Sequence, residues 1–355
     1  MKSETVMKKI KIFAALILVF ALIASLSGCF KVNTDHGAAT SAETKKDDRE
    51  GAVLTPPDDK SIETFTVPDG TVKIPAYAFS GFTALKEVKL PDSLTEIGQN
   101  AFDGCASLTS VTIPANLRII GEYAFEECGA LKEISLPDTV TDIGKGAFYN
   151  CSSLQKATLP SSLTAIPVYL FNGCTALTDV TIGDKVTELC KGAFCGCTAL
   201  EQITLPNSLT VIGELAFCDC KALKTIRLPD SLVSVGEKSF YGSGLTGIVF
   251  PEHFKDIGER AFYECGSLKT VTFDSELKSI GNEAFFHSGV VEIVLPDSVT
   301  TVGEKTFLIC DELKKFTVSE KTLDALSVGH DERSVRSFFG LRDYAEIIIQ
   351  ATPVS

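Results

Sequence analysis

The sequence predicts a solenoid: a stack of about 11–12 coils of 22–23 residues each, with one parallel β-sheet face and short helical turns on the opposite face. Three observations carry the prediction. Phenylalanine recurs at Phe79, Phe102, Phe125, Phe148, Phe171, Phe194, Phe217, Phe240, Phe262, Phe285 and Phe307, in steps of 23 seven times and then 22, 23 and 22. Other residues keep fixed places around it: alanine stands immediately before it in eight of the eleven repeats, and glycine four before it in eight, among them Gly98, Gly121 and Gly144. Six residues after it, most repeats open a stretch such as LTSVTIP, LKEISLP or LEQITLP, where apolar and polar residues alternate. A fixed period held over about 230 residues marks a repeat architecture, in which every local reading is subordinate to the period.

The alternating stretch is the first element of each coil. In the copy opened by Leu108, Val111 and Ile113 are apolar and the residue between them is polar, the pattern of a strand with one buried face. The proline that follows cannot donate to a ladder, so the strand stops there. A second apolar pair then marks a short extended side: Leu94 and Ile97, Leu117 and Ile120, Val140 and Ile143, Leu209 and Ile212. The Ala-Phe pair occupies the helical turn that closes the coil. Twelve strands beginning near residues 62, 85, 108, 131, 154, 177, 200, 223, 245, 268, 290 and 313 would form a parallel sheet roughly 50 Å long at about 4.8 Å per strand. No coil can bury its apolar side alone, so stacking makes the core.

The consensus LxxVxLPxxLxxIGxxAFxxCxx resembles the leucine-rich repeat of the BspA-like, or treponemal, class of bacterial surface proteins. The resemblance covers about residues 62–318, some 70% of the chain. It implies a leucine-rich repeat solenoid that is curved and right-handed, a cell-surface location, and a protein or glycoprotein ligand; members of this class are adhesins that engage host glycoproteins such as fibronectin and fibrinogen. It implies no chemistry. Pro75, Pro167 and Cys190 depart from the class by replacing the glycine, and Ser243 and Ser288 by replacing the cysteine, which puts the local coil geometry in question there.

Residues 1–28 read as a lipoprotein signal peptide. Lys8, Lys9 and Lys11 precede an apolar stretch from Ile12 to Leu26, the layout of an export signal, and the stretch is short for a spanning helix of about 20 residues. It ends Leu26-Ser27-Gly28-Cys29, which resembles the lipobox of bacterial lipoproteins and implies a diacylglycerol on the Cys29 thiol and cleavage before it. Two acyl chains would anchor the protein stably. Met1 and Met7 are both open as initiators. Residues 29–60, poor in large apolar side chains and rich in charge, Thr, Ala and Pro, read as a flexible tether. Residues 61–318 form the solenoid, and residues 319–355, which abandon the pattern for short helices, a C-terminal capping segment over its open end.

The net charge is −13, and removal of residues 1–28, with four Lys and one Glu, takes it to −16. So acidic a surface excludes nucleic acid and anionic lipid as partners and leaves the membrane in reach only through the lipid anchor. Nucleophilic catalysis needs a nucleophile, a base and an orienting group. The four histidines, His36, His253, His287 and His330, have no Ser or Asp at a fixed spacing, and no phosphate loop, HExxH or EF-hand pattern occurs. The expectation is therefore a non-enzyme with no cofactor and no metal.

Eight cysteines hold one place, three after the phenylalanine: Cys105, Cys128, Cys151, Cys174, Cys197, Cys220, Cys265 and Cys310. On a helical turn that spacing returns to the phenylalanine's face, which reads as a structural ladder of buried thiols behaving as small hydrophobes. In the shortened copies GSGL and HSGV the cysteine is lost together with one loop residue, as expected of a space-filling role. Disulfides between coils would be close enough, but parallel side-chain vectors fit the required torsion poorly. Cys190, Cys195 and Cys218 lie off the ladder. With Cys197 and Cys220 they place five thiols in two or three adjacent coils, leaving a thiolate zinc site and a Cys195–Cys218 disulfide both open.

The column just after the phenylalanine runs Ser80, Asp103, Glu126, Tyr149, Asn172, Cys195, Cys218, and then Tyr241, Tyr263, Phe286, Leu308. Its turn from polar to aromatic makes Tyr241, Tyr263, Phe286 and Leu308 a candidate partner-binding stripe; the competing reading packs these side chains under the C-terminal cap or against one another. Function follows as a cell-surface, lipid-anchored, adhesin-like binding protein that recognises host matrix or other surface proteins. A glycan-binding module, which the absence of Trp disfavours, and a non-binding spacer are the alternatives.

Overall fold

Each coil has three sides, and the repeat pattern accounts for two of them directly. The computed structural model describes residues 52–351. The signal peptide, Cys29 and the first part of the tether lie outside the described residues. No helix among the described residues is long and apolar enough to cross a membrane.

The front side is a parallel sheet of short strands in three ladders, interrupted where two of the twelve expected strands, those near residues 200 and 223, do not form: residues 201–206 and 223–229 carry no strand. The first comprises Thr64–Thr66, Glu87–Lys89 and Ser110–Val111; the second Glu133–Ser135, Lys156–Thr158 and Asp179–Thr181; the third runs from Gly247–Val249 through Thr270–Thr272, Glu292–Val294 and Lys315–Ser319 to Glu346–Gln350. Pairing steps by one repeat, with Val88 opposite Val111 and Ala157 opposite Val180. Val88 and Ala157 are buried while the residues beside them face out, the one-sided alternation that the sequence predicts.

The second side carries strands of two residues, four at Thr71–Ile74, in one ladder from Ala52–Val53 to Asp142–Ile143 and another from Ala165–Ile166 to Thr301–Val302. The break has a local cause. The N–H groups of Gly98, Gly121, Gly144 and Gly213 each donate to a carbonyl of the preceding coil at 2.7–2.8 Å. Pro167 stands at the equivalent place and has no N–H to give. Ala52–Val53 pairs with Thr71–Ile74, and Leu54 is buried, so the solenoid's ladder begins within residues 52–60, which composition assigns to the tether. Few large apolar residues are needed there, because the cost of ordering is met by an existing sheet edge.

The third side is the Ala-Phe corner, and it is not helical. Two residues per corner are left-handed: one lies two before the phenylalanine, as at Tyr77, Tyr123 and Tyr169 with φ of 61°, 54° and 56°, and one lies two after it, as at Glu127 and Asn150. A right-handed helix cannot pass through such residues, so the corner is a run of tight turns. Its backbone bonds alternate: Tyr77 N–H to the Gln99 carbonyl at 2.9 Å, Phe79 N–H to Ala101 at 2.7 Å and Gly81 N–H to Asp103 at 2.7 Å run between coils, while Ser80 N–H to Tyr77 and Phe82 N–H to Phe79, both at 3.1 Å, close turns within the coil. Among the described residues, α-helix begins only at Glu320.

The eleven phenylalanines form one continuous stack through the core, with neighbouring ring centroids 5.1–5.8 Å apart and no ring more than 1% exposed. Beyond Lys315–Ser319 come helices α1 (Glu320–Leu326) and α2 (Glu332–Phe339), N-capped by Ser319 and Asp331. Glu346–Gln350 then returns to pair with Lys315–Ser319. Phe339 of α2 is fully buried, 4.7 Å from Phe316 and 6.4 Å from Phe307, and so terminates the stack.

Candidate partner-binding ridge

The ladder cysteines are all free thiols and all buried. Each donates to the carbonyl of a phenylalanine in the preceding coil, from Cys105 to Phe79 at 3.2 Å through Cys151 to Phe125 at 3.1 Å to Cys310 to Phe285 at 3.0 Å. The thiol thus bridges coils as well as filling space. In the shortened copies, the Ser243 and Ser288 hydroxyls lie 3.5 and 3.4 Å from the sulfurs of Cys265 and Cys310. Burial pushes the thiols of Cys105 and Cys151 up to about 12, and those of Cys265 and Cys310 to about 11. They are inert, and the chemistry of this side lies above them.

The column after the phenylalanine forms a half-buried ridge along the corners. Tyr241 and Tyr263 stack with centroids 5.4 Å apart and planes at 12°, and Tyr263 stacks on Phe286 at 4.8 Å and 9°. Corner geometry places these side chains in register by holding each coil's backbone to the next, as in the bond from Gly242 N–H to the Tyr263 carbonyl at 2.9 Å. The Tyr241 hydroxyl donates to Glu264 at 3.0 Å, which pushes its own pKa up to about 12. The Arg260 guanidinium lies 6.0 Å from the Tyr263 centroid and pairs with Glu283 at 2.7 Å. Leu215, Cys218, Lys238, Tyr241, Arg260 and Tyr263 enclose an open depression of about 370 Å³.

Leu308 does not extend the ring stack. It borders α2, where a Cβ on Gly340 would sit 3.3 Å from the Leu308 Cβ. The structure therefore groups three of the four stripe residues and gives the fourth to the cap. His287, beside Phe286, is exposed with φ of 53°. His253 and His330 sit on the surface beside Glu276 and Asp324, at 3.4 and 2.9 Å. Among the described residues, no group of three or more His, Cys, Asp or Glu is placed to hold a metal ion.

A second aromatic group on the same side escaped the sequence reading. Tyr123 and Tyr169, left-handed residues two repeats apart, flank Tyr149 at ring distances of 6.2 and 6.4 Å. The Lys145 ammonium lies 5.6 and 5.5 Å from the Tyr123 and Tyr169 rings, and its pKa is raised, chiefly by the Tyr123 side chain beside it. The rings lie across Gly146 and Gly192, where a Cβ would meet them at 2.4 Å. Tyrosine alternating with glycine in this column was the available signal.

The off-ladder thiols Cys195 and Cys218 occupy the centre of the ridge and are both reduced. Cys195 is half-buried, and Cys218 is 7% exposed with its sulfur 3.7 Å from the Asp219 carboxylate.

Residues 58–178, 164–288 and 233–327 match the family model described as BspA type leucine rich repeat region, in six copies. Among solved structures, a leucine-rich repeat protein from Bacteroides ovatus is 24% identical with a TM-score of 0.60, covering 84% of this chain and 87% of its own. A leucine rich cell surface protein from Faecalibacterium prausnitzii is 25% identical with a TM-score of 0.54, covering 89% and 96%. None of the curated proteins matches.

Proposed function

The chain belongs to the BspA-type leucine-rich repeat family, and on that premise we propose that it is an adhesin-like binding protein, held at the bacterial surface by a lipid on Cys29, that engages a host-matrix or other surface protein through the corner ridge. The observation that carries the reading is the stack of Tyr241, Tyr263 and Phe286, half-buried, in register and not consumed by the core. Aromatic side chains fixed in place give a partner a large contact area at little entropic cost, the property of interface hot spots. The stack also favours protein over glycan. Tyr263 is covered on both faces, by Tyr241 at 5.4 Å and Phe286 at 4.8 Å, so the centre of the stack offers solvent an edge rather than the flat face on which a sugar would stack. Surface location is supported by the Faecalibacterium protein, described as a cell surface protein.

The full chain probed against arrays of matrix glycoproteins and of glycans tests the proposal. Binding on the protein array that Tyr263→Ala and Phe286→Ala abolish is the expected result. Binding on the glycan array alone would replace the partner class, and binding on neither would leave the ridge without a recognition role.

A further inference from the structure

We propose that Cys195 and Cys218 form a thiol–disulfide exchange site for low-molecular-weight disulfides, Cys195 supplying the attacking sulfur and Cys218 the resolving one. Among the described residues, Cys195 is the one free thiol that is not buried. Neither residue belongs to the ladder, whose places in the same coils are filled by Cys197 and Cys220. The two stand at the same position of adjacent coils. Gly173 N–H donates to the Cys195 carbonyl and Gly196 N–H to the Cys218 carbonyl, both at 2.8 Å, and the preceding rings, Phe194 and Phe217, are 5.5 Å apart. Laddered coils hold equivalent Cα atoms about 4.8 Å apart, inside the span of a disulfide; the parallel side-chain vectors must turn toward one another to reach its torsion, which the half-buried Cys195, unlike the buried ladder thiols, is free to do.

The environments divide the roles. The Cys218 thiol in the next coil lowers the Cys195 pKa, and the Asn172 side chain adds to this. The Cys195 sulfur raises the Cys218 pKa, as do burial and the Asp219 carboxylate, to which the Cys218 S–H donates at 3.7 Å. A thiolate forms first at the half-buried Cys195, the more accessible of the two, while the sulfur that need only reach its neighbour keeps its proton. Cys195 thiolate attacks one sulfur of R–S–S–R, forming a Cys195–S–S–R bond and releasing RS⁻. Cys218 then gives up its proton, and its sulfur attacks the Cys195 sulfur, expelling the second RS⁻. The two thiolates take up the protons lost by Cys195 and Cys218. The sum is dithiol plus R–S–S–R giving one protein disulfide and two R–SH.

The test treats the reduced full chain with 2-hydroxyethyl disulfide at neutral pH, quenches by alkylation and maps the cysteine peptides. A linked Cys195–Cys218 peptide should accumulate while the eight ladder thiols take up reagent only after denaturation. Cys218→Ser should halt at the mixed disulfide on Cys195, and Cys195→Ser should slow modification of Cys218 by at least about tenfold. The native rate should level off below the ordinary thiol value of 9.0. Unfolding midpoints equal to the parent's keep the variants comparable. Ladder thiols reacting as fast as Cys195, no mixed disulfide in Cys218→Ser, or an unchanged Cys218 rate in Cys195→Ser would each overturn the proposal.

Discussion

Phe148 shows what a single residue contributes to a stacked core. It is fully buried between Phe125 at 5.5 Å and Phe171 at 5.8 Å. Phe148→Ala would open a cavity that the coils above and below cannot close, since their own rings are held by the next in line. The expected loss is about 3–5 kcal/mol in urea unfolding; a loss below about 1 kcal/mol would mean that the ring is not packed as described. The ladder thiols make a second prediction at this scale. Cys105 and Cys151 titrate at about 12 in the folded chain against 9.0 for an ordinary thiol. Between those values the folded state holds protons that the unfolded state has lost. Their stabilisation is complete below pH 9 and is lost as pH rises towards 12, at on the order of 1.4 kcal/mol per pH unit for each thiol. Urea midpoints measured from pH 8 to 11 should therefore fall steeply above 9, and a flat profile would contradict the burial of the ladder.

The corner is the element where the sequence was read least well. Spacings of three and four residues between Gly, Phe and Cys suit a helical turn, and nothing in that pattern reveals φ. The clue lay in which residues share the two left-handed columns. Gly146 and Gly192 stand among tyrosines in one, and Gly81, Gly104 and Gly173 lead the other. The glycine four before the phenylalanine, present in eight of the eleven repeats, is plain in the sequence, but its reason is not. At Gly121 a Cβ would lie 2.5 Å from the Gln99 nitrogen and 2.6 Å from the Gly98 carbonyl carbon, so two backbones meet where a side chain would stand. Gly121→Ala should cost about 1–3 kcal/mol through forced separation of coils, whereas Gly266→Ala, with no atom within 4 Å of the added carbon, should stay within about 0.5 kcal/mol of the parent. Equal effects at the two positions in thermal unfolding would show that propensity, not contact, governs the column. The strands and the proline stops were legible because alternation and the missing N–H act locally. The break at Pro167 needed the neighbouring coil to be seen.

For the whole molecule, periodicity fixed the number of coils, their register and the line of the core, because each coil repeats the same solution to burying one face. What periodicity could not resolve lies at the ends and on the surface. Ala52–Val53 joins the second side by borrowing an edge, and Leu308 leaves the stripe because α2 reaches it. The Tyr123, Tyr149 and Tyr169 group was hidden for a similar reason: its members come from two columns that converge only when the corner is folded. The ridge reading depends on Tyr241, Tyr263 and Phe286 standing outside the core while remaining fixed by it. Removing two of these rings should weaken binding without loosening the solenoid. If, as proposed, the chain binds a matrix glycoprotein, the most direct measurement is the affinity of the full chain for the glycoprotein captured on the array, compared between the parent and a Tyr263→Ala, Phe286→Ala double variant. The expected result is a loss of at least about tenfold, or 1.4 kcal/mol, with the affinity change exceeding any shift in unfolding free energy; an unchanged affinity in a folded double variant would contradict the assignment of the ridge as the binding surface.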